Sequence, residues 1–314
     1  MKIVALDALQ LMDLDWSGLR AIDPGLVTYD ATAPERVVER AKDAEILLVN
    51  KVKLTREVLE KLPRLQYVGV LATGYDNVDC AAAREKGVVV TNVPGYSTDS
   101  VAQLVFALLL ELCHQTGHHS DTVKAGRWAN QPYYCYWDSP LIELAGKTMG
   151  IFGLGKIGRR TAQIAQAFGM KVLACSRTKK DVPGVTWVGF DELLRESDVL
   201  SLSSPLTDQT RGLINKDALS KMKKTAFLIN TSRGGLLVEQ DVREALDAGV
   251  IAGAAVDVLS TEPPKADNPL VGAKNIVITP HIAWATTEAR TRLLEIVRGN
   301  IAAWQAGNTQ NRVN

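Results

Sequence analysis

Short apolar runs and longer amphipathic stretches alternate along the chain. The runs at 2–6, 46–49, 65–70 and 88–91 are too short for helices and rich in β-branched residues, so they predict strands buried on both faces. The segments between them have helical character, and a parallel sheet is the expectation. After the Pro94-Gly95 turn, 101–113 predicts a long apolar helix, followed by an irregular stretch rich in Trp and Tyr at 127–140. A second series then begins. Residues 148–152, 171–175, 199–202, 226–230, 253–258 and 275–279 predict six strands separated mostly by helices, the content of a doubly wound nucleotide-binding sheet. Residues 286–304 read as a helix with no strand after it, which points to a return to the first domain.

The length of 314 residues exceeds what one hydrophobic core usually serves. Two domains are expected: a discontinuous one of residues 1–98 and 286–314, and a second of residues 99–285, with a cleft between them where small molecules bind. No internal repeat or low-complexity segment alters that division.

Composition narrows the class. Hydrophobic residues are 46% and charged residues 23%, as in ordinary globular proteins, and a net charge of +1 gives no general attraction to nucleic acid or anionic lipid. The four cysteines are scattered without a CxxC pair, which fits reduced thiols and a cytoplasmic setting rather than a disulfide framework or a zinc site. The N-terminal segment acquires Asp7 at once and lacks the pattern of a signal peptide. The helix at 101–113 carries Gln103 and Glu111 and is too short to cross a bilayer, so no membrane partner is expected. His114, His118 and His119 have no companions at metal-ligand spacing, and no metal is expected.

The first chemical signal is Gly153-Leu154-Gly155-Lys156-Ile157-Gly158, which follows a predicted strand and opens a predicted helix. That order makes it a dinucleotide-phosphate loop. Gly153 allows a tight turn, Gly155 a close approach of backbone to pyrophosphate, and Gly158 close helix packing, while the helix N-terminus supplies amide donors. The next strand should end at the adenosine ribose, where an acidic side chain would bond the 2′-hydroxyl of NAD. Here Ser176 takes that place, with Arg177, Thr178, Lys179 and Lys180 following. Hydroxyls and cations suit a 2′-phosphate, so NADP is favoured. NAD stays open as the alternative, with Arg177 stacked on adenine or turned to solvent.

Three further polar residues fall at the ends of predicted strands, where such sheets bind ligands: Arg233 in NTSRGG, Glu262 in DVLSTEPP and His281 in TPHIAWAT. With GLGKIG these segments resemble the signatures of the D-2-hydroxyacid dehydrogenase family, in order and spacing, over almost the whole chain. The resemblance implies two doubly wound parallel-sheet α/β domains, a flavodoxin-like substrate domain and a Rossmann cofactor domain. It implies that His281 is the general acid/base, Glu262 its carboxylate partner, and Arg233 the cation that anchors substrate. Reducing a keto acid leaves alkoxide character on oxygen, and an imidazolium supplies the proton; neutral His281 takes it back in oxidation. Arg233 offers a planar fork to a carboxylate that Lys could not reproduce.

The same resemblance implies that Asp257 contacts the nicotinamide amide, that Thr231 and Ser232 lie beside the cofactor, and that Ser203, Ser204 and Pro205 line its adenosine side. Taken by itself, Asp257 also reads as a strand-end hydrogen bonder. LATGYDNVD resembles the family's substrate loop, in which amides around Ala72, Thr73 and Gly74 receive a carboxylate. Asp76 and Asn77 read as turn and helix-cap residues. The aromatic segment and Trp284 look most like the glycerate dehydrogenase, or hydroxypyruvate reductase, branch, with Trp284 either walling a small pocket or packing at a subunit interface. Hydroxypyruvate and glyoxylate are the substrates this implies, with D-glycerate and glycolate as products. The chain ends soon after its last helix, which disfavours the regulatory module of phosphoglycerate dehydrogenases. Family resemblance also implies a homodimer, with 101–144 as the interface. Two other readings remain: a nucleotide-sensing co-repressor of the same fold, and a phosphite- or formate-type dehydrogenase.

Overall fold

A computed structural model describes residues 1–179 and 181–314. The chain divides into two compact units, residues 1–97 with 285–314 and residues 98–284.

In the first unit, β1 (Ile3–Ala5), β2 (Val27–Thr28), β3 (Ile46–Val49), β4 (Tyr67–Val70) and β5 (Val89–Thr91) form one parallel sheet in the order β2-β1-β3-β4-β5. That is the 2-1-3-4-5 order of flavodoxin-like folds. β1, β3 and β4 are buried at every position, which is why they read as unbroken apolar runs. β2 escaped the sequence reading because it has two half-buried residues at the sheet edge, too few to show a period. The helix Thr287–Gln305 packs here through Ala289, Leu293, Val297 and Ile301, a stripe repeating every four residues. Thr286, expected as its first residue, is instead the cap: its Oγ1 accepts the Ala289 N–H at 3.2 Å.

The second unit opens with the helix Thr98–His114, which buries Val101, Ala102, Val105, Phe106, Leu108 and Leu109. Seven parallel strands follow: β6 (Thr148–Phe152), β7 (Lys171–Cys175), β8 (Val185–Trp187), β9 (Val199–Leu202), β10 (Phe227–Asn230), β11 (Gly253–Val256) and β12 (Ile276–Ile278). Their order is β12-β11-β10-β9-β6-β7-β8. Counted from β6, this is the 3-2-1-4-5-6 Rossmann order with a seventh strand beside the sixth. Among the described residues the expected count of six strands is corrected to seven. β8 was missed because it lies at the edge with no fully buried position.

Gln115, at φ 46°, breaks the first helix from a second, Thr116–Lys124, so His118 and His119 stand on a helix of their own. His118 Nε2 and Arg127 Nη1 both lie 2.6 Å from Asp138 Oδ2. The Arg127 guanidinium and then His118 hold the Asp138 carboxyl well below the usual carboxylate range. Beyond them Trp128, Tyr133, Tyr134 and Trp137 are exposed. Among the described residues no helix is long and apolar enough to cross a membrane, and no group of three or more His, Cys, Asp or Glu could hold a metal ion.

Candidate active site

All strands of the seven-stranded sheet run the same way, so the loops after β6, β7, β9, β10, β11 and β12 gather along one edge. The glycine loop follows β6. Gly153 has φ 96°, and a Cβ there would lie 2.6 Å from the Ser203 carbonyl oxygen, so only glycine permits this turn against the β9 loop. A Cβ on Gly158 would lie 2.2 Å from the Gly153 carbonyl oxygen. Above Gly155 there is open space, and no side chain caps the helix Lys156–Ala167 that starts beside it. Uncapped amides under an open cradle suit a pyrophosphate. Ser203 Oγ, buried and without a hydrogen-bond partner among the described residues, adds an unused polar group next to that turn. The residues fit a dinucleotide.

At the end of β7, Ser176 is half-buried while Arg177, Thr178 and Lys179 are exposed; Lys180 lies outside the described residues. Burial pushes the thiol of the preceding Cys175 up. After β9, Ser204 is half-buried and Pro205 exposed. After β10, Thr231 and Ser232 are half-buried, and Ser232 Oγ donates to the Leu202 carbonyl at 2.7 Å. Buried Asn230 shapes this loop by accepting the Ser232 N–H at 3.0 Å and donating to the Arg233 carbonyl at 2.9 Å. Arg233 itself is exposed, with Nη1 on the Ser232 carbonyl at 2.8 Å. Gly234 then presses against the β11 loop, where a Cβ would lie 1.9 Å from the Leu259 carbonyl carbon.

Glu262 and His281 meet directly. His281 Nδ1 is 2.6 Å from Glu262 Oε2, and Glu262 Oε1 accepts the Leu259 N–H at 3.1 Å. With Nδ1–H donated to the carboxylate, Nε2 is the nitrogen left to exchange a proton. The two side chains keep 28% and 32% of their surface accessible, enough for a ligand to reach them. His281 sits at φ 56°, a region that L residues seldom occupy. Its backbone N–H donates to the carbonyls of Asp257 and Thr279 at 2.9 and 3.0 Å. The buried Asp257 carboxylate accepts Thr279 Oγ1–H at 2.6 Å and the N–H groups of Ile282 and Ala283 at 2.9 and 2.8 Å. Ser100 Oγ reaches the Ala283 carbonyl from the first helix of the unit at 2.5 Å. The strand-end bonding read for Asp257 is thus what its carboxylate does in the structure. Trp284, half-buried, follows on the same segment.

Ala72, Thr73 and Gly74 lie in the first unit, after β4. Thr73 Oγ1 donates to the Val93 carbonyl at 2.8 Å and Asn92 Nδ2 to the Thr73 carbonyl at 2.7 Å. The cap expected at Asp76 and Asn77 is corrected: Asp79 caps the next helix by accepting the Ala82 N–H at 2.9 Å, and Asn77 Nδ2 donates to the Val52 carbonyl. Its reach into the neighbouring strand loop is a long-range contact with no local signal. Sequence reasoning also missed Ser100, Asn230 and Glu239, whose partners are brought near only by the fold.

Sheet order, glycine loop and the imidazole–carboxylate pair together define a dehydrogenase that uses a nicotinamide dinucleotide. Residues 106–283 match the family described as D-isomer specific 2-hydroxyacid dehydrogenase, NAD binding domain, and the chain belongs to that family. It is 50% identical to a hydroxypyruvate reductase from Blautia hydrogenotrophica, with 100% of both chains covered. A glycerate dehydrogenase from Methylorubrum extorquens is 41% identical over 91% of this chain and 90% of its own. Among solved structures, an NADPH-dependent glyoxylate/hydroxypyruvate reductase from Sinorhizobium meliloti, in complex with NADP and malonate, matches with a TM-score of 0.85 at 29% identity. That match covers 99% of this chain and 96% of the other.

Proposed function

We propose that the chain reduces hydroxypyruvate, and glyoxylate beside it, to D-glycerate and glycolate. The observation that carries this reading is the 2.6 Å contact between His281 Nδ1 and Glu262 Oε2 on a loop built around Asp257. The nicotinamide, when bound, supplies the hydride to the carbonyl carbon. His281 Nε2 gives its proton to the carbonyl oxygen, so the C=O becomes CH–OH and the imidazole is left neutral. In oxidation His281 takes the proton back. Glu262 fixes the tautomer by accepting the Nδ1–H and orients the ring. Arg233 holds the substrate carboxylate and Trp284 limits the pocket to small acids; within the first unit, the amides of Ala72, Thr73 and Gly74 are the groups suited to a carboxylate.

Residues 99–285 are the cofactor domain of this reading, and residues 1–98 with 286–314 the substrate domain. Gly153, Gly155, Lys156, Ile157 and Gly158 hold the pyrophosphate. Ser204, Pro205, Thr231, Ser232 and Asp257 line the rest of the dinucleotide. Ser176, Arg177 and Thr178 hold a 2′-phosphate, which makes NADPH the preferred donor; the exposed guanidinium of Arg177, with no acid at the strand end, supports it. The exposed aromatics of 127–140 support a homodimer formed through 101–144. The free cysteines fit a cytoplasmic setting. The co-repressor and phosphite or formate readings are not favoured, since the relatives are named for hydroxy-acid chemistry.

Absorbance of the reduced nicotinamide, followed with hydroxypyruvate, glyoxylate, pyruvate and larger keto acids and both donors, tests this. Hydroxypyruvate should be fastest; no turnover of any keto acid would refute the reading. Arg177→Ala should raise KM for NADPH about tenfold more than for NADH, the loss expected for one charged contact to phosphate. Equal losses would remove the phosphate-holding role.

A further inference from the structure

We propose that Glu239 is a positioning residue for the Glu262–His281 pair, a role that rests on the acid/base reading given above. Glu239 is the first residue of the helix Glu239–Asp247, directly beyond the Arg233 loop. Its half-buried carboxylate gathers three donors. Oε1 accepts the Ser260 N–H at 2.7 Å, and Oε2 accepts Ser260 Oγ–H at 2.8 Å and Asn268 Nδ2–H at 2.9 Å. Ser260 stands two residues before Glu262 and Asn268 six residues after it, so the carboxylate ties down both flanks of the loop that carries Glu262.

Residues 260–267 are exposed without exception. Apolar burial therefore does nothing to fix their course, and polar ties have to do it. Gly234 works with the clamp: lacking a Cβ, it lets the backbone beside Arg233 rest on Leu259 and Ser260. Leu259 in turn gives its N–H to Glu262 Oε1, which leaves Oε2 for His281 Nδ1. Glu239 thus sets where the Glu262 carboxylate stands relative to the imidazole without touching either.

A carboxylate is the fitting group because every donor it meets points inward. Glutamine offers one acceptor oxygen and turns an NH2 group toward the remaining donors. Glu239→Gln should loosen the loop while leaving charge on Glu262 and His281 in place. Hydroxypyruvate reduction by the full chain, measured from acid to alkaline pH, separates positioning from a merely structural role. Glu239→Gln is expected to lower kcat on the order of tenfold at every pH, with KM for hydroxypyruvate and for the nicotinamide nucleotide within about twofold. Glu239→Asp should recover part of the loss. Asn268→Ala, which releases the far flank, should lower kcat by less with the same unchanged KM values, and it decides the matter if Glu239→Gln does not fold. A wild-type kcat in the folded variant or variants overturns the assignment. His281→Gln, run alongside, guards the underlying reading: full activity there would sink the acid/base pair itself rather than the role of Glu239.

Discussion

In the five-stranded sheet, Asp7, two residues beyond β1, accepts the backbone N–H groups of Asn50, Lys51 and Val52 at 2.8, 2.5 and 2.9 Å. In the seven-stranded sheet, Asp257, one residue beyond β11, accepts those of Ile282 and Ala283 together with the Thr279 hydroxyl. Each carboxylate sits at a strand end and gathers the loop that follows the neighbouring parallel strand, β3 in one case and β12 in the other. The loops differ in what they carry. Asp7 holds a turn, and its own carboxyl is pushed above the ordinary range by burial, against the pull of the amides. Asp257 holds a residue at φ 56° whose imidazole faces a carboxylate, a backbone state that costs about 1–3 kcal/mol and persists only when its surroundings dictate it. One device therefore holds a plain turn in the first unit and the segment of the imidazole–carboxylate pair in the second.

Asp257→Asn should show the larger effect. An amide cannot accept on both sides, so the His281 segment relaxes and kcat for hydroxypyruvate falls on the order of 10- to 100-fold, read by nicotinamide absorbance. A rate within about twofold of wild type would show that Asp257 merely holds a turn, as Asp7 does. Asp7→Asn should leave kcat within about twofold and lower unfolding stability by about 1–3 kcal/mol, read by denaturant titration. Lost activity at unchanged stability would show that the turn after β3 does more than hold its unit together.

The Asp7 effect has a definite pH sign. Because its folded value is raised, the folded chain keeps this proton more tightly than the unfolded chain does. The stabilisation this brings is fully present below the ordinary value of 3.8 and is lost as pH rises through the raised one. The stability gap between wild type and Asp7→Asn should accordingly narrow from the acid end of that window toward neutrality. Parallel stability curves over the same range would contradict the burial account.

These strand-end carboxylates also mark how far the sequence could be read. β6, β7 and β9 begin and end where the predicted runs do, and β9, buried at every position, shows the unbroken apolar run of a central parallel strand. β2 and β8, at sheet edges, lack that signal. The glycine loop was legible because close approach demands glycine at Gly153 and Gly158 whatever the surroundings. His281 and Glu262 were legible as members of a family pattern. The bonds that set them were not: Ser100 and Ala283 are 183 residues apart, and Glu239 and Asn268 meet across 29. Nothing local in either segment announces its partner, and an acid at the start of a helix is ordinarily explained by the helix dipole alone. Gln115, whose left-handed backbone ends one helix and starts another, was likewise hidden within a continuous helical pattern.

In the reaction proposed above, Glu262 holds the imidazole that delivers the proton. The most direct measurement is the pH dependence of kcat/KM for hydroxypyruvate reduction in wild type and in Glu262→Gln, where an acceptor for Nδ1–H survives but the charge does not. kcat/KM should fall on the order of tenfold or more across the whole range in the variant, since a neutral amide accepts the Nδ1–H bond more weakly than a carboxylate and orients the ring less well. Superimposable profiles would contradict the account.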